Sequence, residues 1–150
     1  MLKSFTKLFT PAEGKVRAPN LDQAALELGV ATLLVEMTRM DFEIKPEELV
    51  AVRAGLADLF GLSAEKADTL LEEARAKSQR MTSYFAQVSA INRHFSMEQR
   101  IRLVEHLWRV AYADAGLDPY EDHLVRKLSH LMYVPHVQCM LARQRARGMA

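Results

Sequence analysis

Cysteine is almost missing from this 150-residue chain, where Cys139 is the only residue of that type. One cysteine cannot form an intrachain disulfide, and nothing near it has the spacing of a zinc site. The sequence therefore excludes a small secreted scaffold held together by disulfides. It favours a reducing compartment, and we expect a cytoplasmic protein.

The chain also lacks an excess of charge of either sign. Its 20 Lys and Arg residues balance 19 Asp and Glu residues, which leaves a formal net charge of +1. No basic recognition helix stands out, so the sequence does not favour nucleic acid as a partner. Known catalytic motifs are missing too: there is no Gly-rich phosphate loop, HExxH, nucleophile elbow or CxxC. We therefore expect a protein that is not an enzyme.

Long uncharged apolar runs are absent. The most apolar segment, residues 21–40, carries charged side chains along its length, so it does not predict a transmembrane span. Residues 1–9 have apolar positions at helical spacing and two lysines, but they lack a signal-peptide cleavage site. Such a short segment would contact a membrane surface only weakly. Pro11, Gly14 and Pro19 then break any period, so residues 1–19 are predicted to be an arm and linker before a domain of residues 20–150.

The rest of the chain shows the periodicity of amphipathic helices. Apolar residues recur at spacings of three and four, no segment alternates with period two, and caps or prolines separate the segments. The sequence predicts an all-α bundle of about seven helices. Residues 21–40 are apolar on most sides, which is typical of a helix in the middle of a bundle. The polar stretch 77–81 is expected to interrupt a helix, and residues 82–92 to form a short one with Tyr84, Phe85, Val88 and Ile91 on its apolar face.

An internal repeat appears when each residue is compared with the one 73 positions later. Two helix–turn–helix units share an Asp, an aliphatic residue, a Pro and a Glu at the same spacing, followed by an apolar helix. Two such units packed together bury apolar faces that neither could bury alone. The paired positions are Asp41 with Asp114, Ile44 with Leu117, Pro46 with Pro119, Glu48 with Glu121, Val52 with Val125, and upstream Leu34 with Leu107.

The acidic residues of the repeat allow two interpretations. Glu48 and Glu121 fall near the third position of a helix, where a carboxylate can cap free N–H groups. Asp41 and Asp114 follow a helix end, where the dipole disfavours them unless they accept N–H bonds in the turn. Alternatively, the four carboxylates hold a divalent cation. Oxygen ligands suit Ca²⁺, Mg²⁺ or Mn²⁺, although the pattern does not match an EF-hand loop.

The histidines are a further set of candidate acid–base or metal-binding groups. His123 lies close in sequence to Glu121 and could join an acidic site, although ordinary surface histidines are the favoured interpretation. His123 and His130 are seven residues apart and share one helix face. The five histidines are His94, His106, His123, His130 and His136.

The two acidic turns resemble those of the TerB family of tellurite-resistance proteins. The segments that carry the resemblance run from Met40 to Glu48 and from Ala113 to Glu121. The family's Gly after the Asp is Phe42 in the first copy and Ala115 in the second, so both turns differ from the family pattern in detail. The chain looks closer to stand-alone members than to the tellurite-operon protein. The resemblance implies a metal- or stress-linked role with partner complexes and no catalytic reaction.

Two functions remain open from the sequence. The first is a non-enzymatic binding domain that holds a cation at Asp41, Glu48, Asp114 and Glu121 and docks a protein partner. The second is a purely structural interaction domain without a metal. An enzyme that uses paired carboxylates is a distant third.

Overall fold

The computed structural model describes residues 21–38, 44–113, 117 and 119–148. These residues form seven helices and no strand, which confirms the all-α prediction. Residues 1–20, with the predicted arm and linker, lie outside the described part. The helices are α1 (Leu21–Glu36), α2 (Pro46–Phe60), α3 (Ala64–Arg80), α4 (Phe85–His94), α5 (Met97–Tyr112), α6 (Pro119–Leu131) and α7 (His136–Gly148).

Local capping chemistry sets several of these helix boundaries. The Ser63 hydroxyl accepts the backbone N–H of Lys66 at 3.2 Å, at the start of α3. At the start of α5, Gln99 N–H donates to the Ser96 hydroxyl at 3.2 Å and the Ser96 N–H donates to the Gln99 side chain at 2.8 Å. These two hydrogen bonds together form a capping box. Gly61 ends α2 with φ of 70°, a left-handed conformation that glycine adopts without strain.

Helix α1 occupies the centre of the bundle, as its all-round apolar pattern predicted. It packs against α2, α3, α4 and α5. Its buried positions fall on most sides of the helix, so neighbours must surround it. The fully buried apolar residues of α1 are Val30, Ala31, Leu33, Leu34 and Val35.

Helix α5 is a second central helix and packs against α1, α2, α6 and α7. Trp108 is fully buried at its contact with α7. The indole Nε1–H donates to the Cys139 carbonyl at 3.2 Å, and the Arg143 guanidinium lies 5.5 Å from the ring centroid. No helix in the described segments is long and apolar enough to cross a membrane.

Helix α3 differs from the sequence prediction. It continues through most of the polar stretch 77–81, which was expected to interrupt it, and ends at Arg80. The physical reason is that Ser78 is buried and its hydroxyl donates to the Glu36 carboxylate at the end of α1. A polar side chain with a buried acceptor can stay helical inside the bundle.

Candidate functional site

The described part of the two acidic turns contains two buried glutamates. Glu48 lies in the first turn of α2 and Glu121 in the first turn of α6, and each is only 2% exposed. Pro46 and Pro119 begin these two helices. A carboxylate buried this deeply needs hydrogen bonds, a positive charge or a cation to offset its lost hydration. The positive end of each helix dipole provides part of that compensation.

Glu48 also caps its own helix. Its Oε1 accepts the backbone N–H of Lys45 at 3.0 Å, which agrees with the capping interpretation of this residue. Ile44 and Leu117 pack partly buried against the core beside the two turns. These two paired positions of the repeat therefore have similar environments.

The remaining predicted ligands, Asp41 and Asp114, lie outside the described residues. The four-carboxylate metal site therefore stays a prediction. Within the described segments, no group of three His, Cys, Asp or Glu side chains is placed to hold a metal ion. His123 is exposed whereas Glu121 is buried, so these two side chains lie on different faces of α6.

A polar cleft of about 680 Å³ lies between α2, α5 and α7. At its centre His106 Nε2 lies 2.7 Å from Asp58 Oδ2, and the His106 side chain is only 4% exposed. Arg102 donates to the same carboxylate at 2.5 and 3.2 Å. Glu105 pairs with Arg109 and, at 2.7 Å, with Arg145.

Most charged side chains of this cleft are paired with a side chain of opposite charge. Hydrogen bonds from His106 and Arg102 hold the pKa of the Asp58 carboxyl below its usual range. Burial lowers the pKa of the His106 imidazole. His106 Nδ1 is buried without a hydrogen-bond partner in the described structure, which fits a neutral ring that donates from Nε2. The described cleft lining has no Ser, Thr or Cys beside the His–Asp pair.

Acidification is expected to destabilise the protein through His106. Because its folded pKa lies below the ordinary value of 6.5, the unfolded chain takes up a proton that the folded chain does not as the pH falls through 6.5. The free energy of unfolding should therefore fall between about pH 7.5 and about pH 5.5. Urea unfolding of wild type and His106→Gln at both pH values should give the variant the smaller loss. Equal losses would contradict a neutral buried imidazole.

A second concave surface, which we name the aromatic groove, lies between the start of α4 and the end of α6. It encloses about 730 Å³. Phe85 is 79% exposed and Tyr133 is 72% exposed on its rims. Arg93 and Lys127 are its basic lining residues. The apolar and aromatic lining residues are Tyr84, Phe85, Val88, Leu131 and Tyr133.

A family model described as tellurite resistance protein TerB matches residues 27–144, from within α1 to within α7. This chain belongs to the TerB family. The resemblance read from the two acidic turns is thereby confirmed. The matched residues cover nearly the whole of the described helical bundle.

A solved structure supports the fold of this TerB-family chain. A protein of unknown function from Porphyromonas gingivalis is similar with a TM-score of 0.59, over 83% of this chain and 95% of that chain. The two sequences are 19% identical, so the likeness shows the fold alone. No curated protein matches the chain.

The aromatic groove of this TerB-family chain is the feature that the sequence prediction missed. Phe85 was assigned to the apolar face of a helix, but α4 begins at this residue and its side chain points to solvent. Tyr133 follows the end of α6 and lies in no amphipathic pattern. The sequence signal for it is a tyrosine two residues before Pro135, in a segment that ends one helix and precedes another.

Proposed function

We propose that this chain is a non-enzymatic TerB-family binding domain that holds a divalent cation in its acidic turns and docks a protein partner. The observation that carries the proposal is the burial of Glu48 and Glu121, each 2% exposed. Glutamate is rarely buried this deeply, and here it is buried at the same position of both repeat units.

The chemistry of these side chains fits a hard cation. Carboxylate oxygens are the ligands that Ca²⁺, Mg²⁺ and Mn²⁺ prefer. In the proposed site, Asp41 and Glu48 contribute from one turn, and Asp114 and Glu121 from the other. A bound cation would neutralise the buried charge and tie the two turns together.

The equivalence of the two turns supports this assignment. Pro46 and Pro119 both begin helices. Val52 and Val125 are both fully buried, as are Leu34 and Leu107. Positions 73 residues apart therefore have matching environments, which favours the interpretation of residues 20–150 as one domain with an internal repeat, preceded by an arm of residues 1–19.

The polar cleft supports a non-enzymatic role, and membership of the TerB family supports a link to metals or stress. The His106–Asp58 pair has no adjacent nucleophile in the described lining, which favours a binding role over catalysis. The family description links TerB to tellurite, and for this chain we propose a metal- or stress-linked role of that general kind in the cytoplasm. Any membrane contact would be weak and would involve residues 1–9.

A structural interaction domain without a cation is the second candidate. The hydrogen bond from Lys45 N–H to Glu48 favours it, because a carboxylate that caps its own helix does not require a cation. The two candidates differ in whether the turns respond to added metal.

Calorimetric titration of chelator-treated protein with Ca²⁺, Mg²⁺, Mn²⁺ and Zn²⁺ tests the proposal. We expect heat of binding for at least one of the oxygen-preferring cations and a higher Tm in its presence. Asp41→Asn combined with Asp114→Asn should abolish both responses and leave the helical circular dichroism unchanged. The matched control is Glu98→Gln, an exposed carboxylate in the first turn of α5, which should bind as wild type does.

Two results would decide against the cation. The first is the absence of heat and of a Tm shift at millimolar metal. The second is unfolding of the double variant in chelator, which would assign Asp41 and Asp114 to capping of the turns.

A further inference from the structure

The rim of the aromatic groove is held in a strained conformation. Tyr133 has φ of 62°, the only positive φ of a non-glycine residue in the described chain. Its N–H donates to the His130 carbonyl at 2.9 Å, and the N–H of Val134 donates to the Ser129 carbonyl at 3.0 Å. This pair of bonds is a Schellman motif, and Tyr133 occupies the position where glycine is usual. The side chain costs folding energy there, yet it is left largely exposed.

Side-chain hydrogen bonds fix the end of α6, which forms one wall of the groove, and one of them comes from the opposite wall. Asn92 of α4 donates from Nδ2 to the Leu131 carbonyl at 3.1 Å, at the end of α6. Arg100 of α5 donates to the Met132 carbonyl at 2.7 Å. The spacing of the walls is therefore set before anything binds, which lowers the ordering cost of binding.

A hydrogen bond also fixes the position of the Tyr84 side chain in the groove lining. Its hydroxyl donates to the Glu36 carboxylate at 3.1 Å, and Glu36 also accepts the Ser78 hydroxyl. Burial and Glu36 raise the pKa of the Tyr84 hydroxyl, so it stays protonated and neutral. The Tyr84 ring thus presents a fixed aromatic surface, with Lys127 Nζ 5.8 Å from its centroid.

The charge of the groove is positive. Arg93 and Lys127 line it, and its described lining contains no Asp or Glu. Neither cation forms an ion pair with another described residue. A ligand that brings carboxylates together with apolar side chains would complement both properties of the surface.

We infer that the aromatic groove binds an acidic amphipathic segment of a partner protein, with apolar side chains against Phe85 and Tyr133 and carboxylates against Arg93 and Lys127. A concave surface of about 730 Å³ suits inserted side chains, as in helix-in-groove recognition. The protein's own residues 1–9 carry Lys3 and Lys7, which have the same sign of charge as the groove.

The inference deepens the docking half of the proposed function and does not depend on the cation. A negative cation titration leaves the groove proposal intact. Conversely, a negative peptide experiment leaves the cation proposal intact. All peptide measurements are made on the full chain in the presence of chelator, so the two results stay separate.

The test is a selection from a display library of helical 16-residue peptides on the full chain. We expect the enriched peptides to combine aromatic or large aliphatic residues, one helical turn apart, with Asp and Glu. Fluorescence anisotropy of a labelled enriched peptide should show at least about tenfold weaker binding to Phe85→Ala and to Lys127→Glu. Val50→Ala, which truncates an exposed valine of α2 outside the groove lining, should bind as wild type does.

The variant Tyr133→Gly distinguishes a binding role of Tyr133 from a role in stability alone. Glycine relieves the left-handed strain, so the Tm should rise by about 2–4 °C while peptide binding weakens. The proposal is overturned by a lack of enrichment, or by enriched peptides that bind Phe85→Ala as tightly as wild type. It is also overturned if a synthetic peptide of residues 1–9 competes for the groove, if anionic vesicles bind through Phe85, or if Phe85→Ala abolishes a dimer.

Discussion

Truncation of Trp108 to alanine is expected to lower the free energy of unfolding by about 3–5 kcal/mol. Trp108 is fully buried in α5 and donates its indole N–H to the Cys139 carbonyl of α7. Its ring also contacts Tyr112, with the centroids 6.2 Å apart, and Arg143 stacks above it. The variant loses the apolar contact area, the hydrogen bond and the aromatic contact at once, and it leaves a cavity between two helices.

Urea unfolding followed by circular dichroism measures this loss. The control is Val137→Ala, because Val137 lies on the same helix as Cys139 and is 65% exposed. Its effect should stay within about 0.5 kcal/mol. A loss below about 1.5 kcal/mol for Trp108→Ala would mean that the α5–α7 contact does not anchor the fold as the structure indicates.

Replacement of both buried glutamates, Glu48→Gln with Glu121→Gln, should separate capping from cation binding. Glutamine keeps an acceptor oxygen for the helix N-terminus and gives up the negative charge, whose interaction with the helix dipole is about 0.3–1 kcal/mol per site. In chelator the variant should therefore be less stable than wild type by about 0.6–2 kcal/mol over the two sites. A hundredfold excess of cation over its Kd should stabilise wild type by about 2.7 kcal/mol and leave the variant unchanged.

Unfolding curves with and without cation provide this comparison. Glu47→Gln is the matched control, since Glu47 is the exposed neighbour of Glu48 on the first turn of α2. It should keep the full stabilisation. If the double glutamine variant kept it as well, the cation would bind elsewhere.

Much of the fold could be predicted because local signals and burial agree. Pro46, Pro119, Ser63 and Gly61 mark helix boundaries through backbone chemistry that does not depend on the rest of the chain. The apolar pattern of residues 21–40, which covers most sides of a helix, predicted that this helix lies at the centre of the bundle.

The remaining features depend on tertiary contacts that no local pattern encodes. Ser78 stays helical because Glu36, 42 residues away, accepts its hydroxyl. Phe85 matches an apolar helix face, but nothing in its own segment reveals that no neighbour covers it. Glu48 and Glu121 could be assigned to helix N-termini from sequence, whereas their near-complete burial could not.

A titration with Mn²⁺ tests most directly the proposal that the two acidic turns bind one kind of divalent cation. Paramagnetic broadening of backbone amide NMR signals during a Mn²⁺ titration reports where the ion resides. The account predicts that amides around Glu48 and Glu121 broaden first, at substoichiometric Mn²⁺, and that Glu48→Gln with Glu121→Gln removes the effect. Broadening that begins at exposed carboxylates such as Glu65 or Glu72, or that is unchanged in the variant, would contradict it.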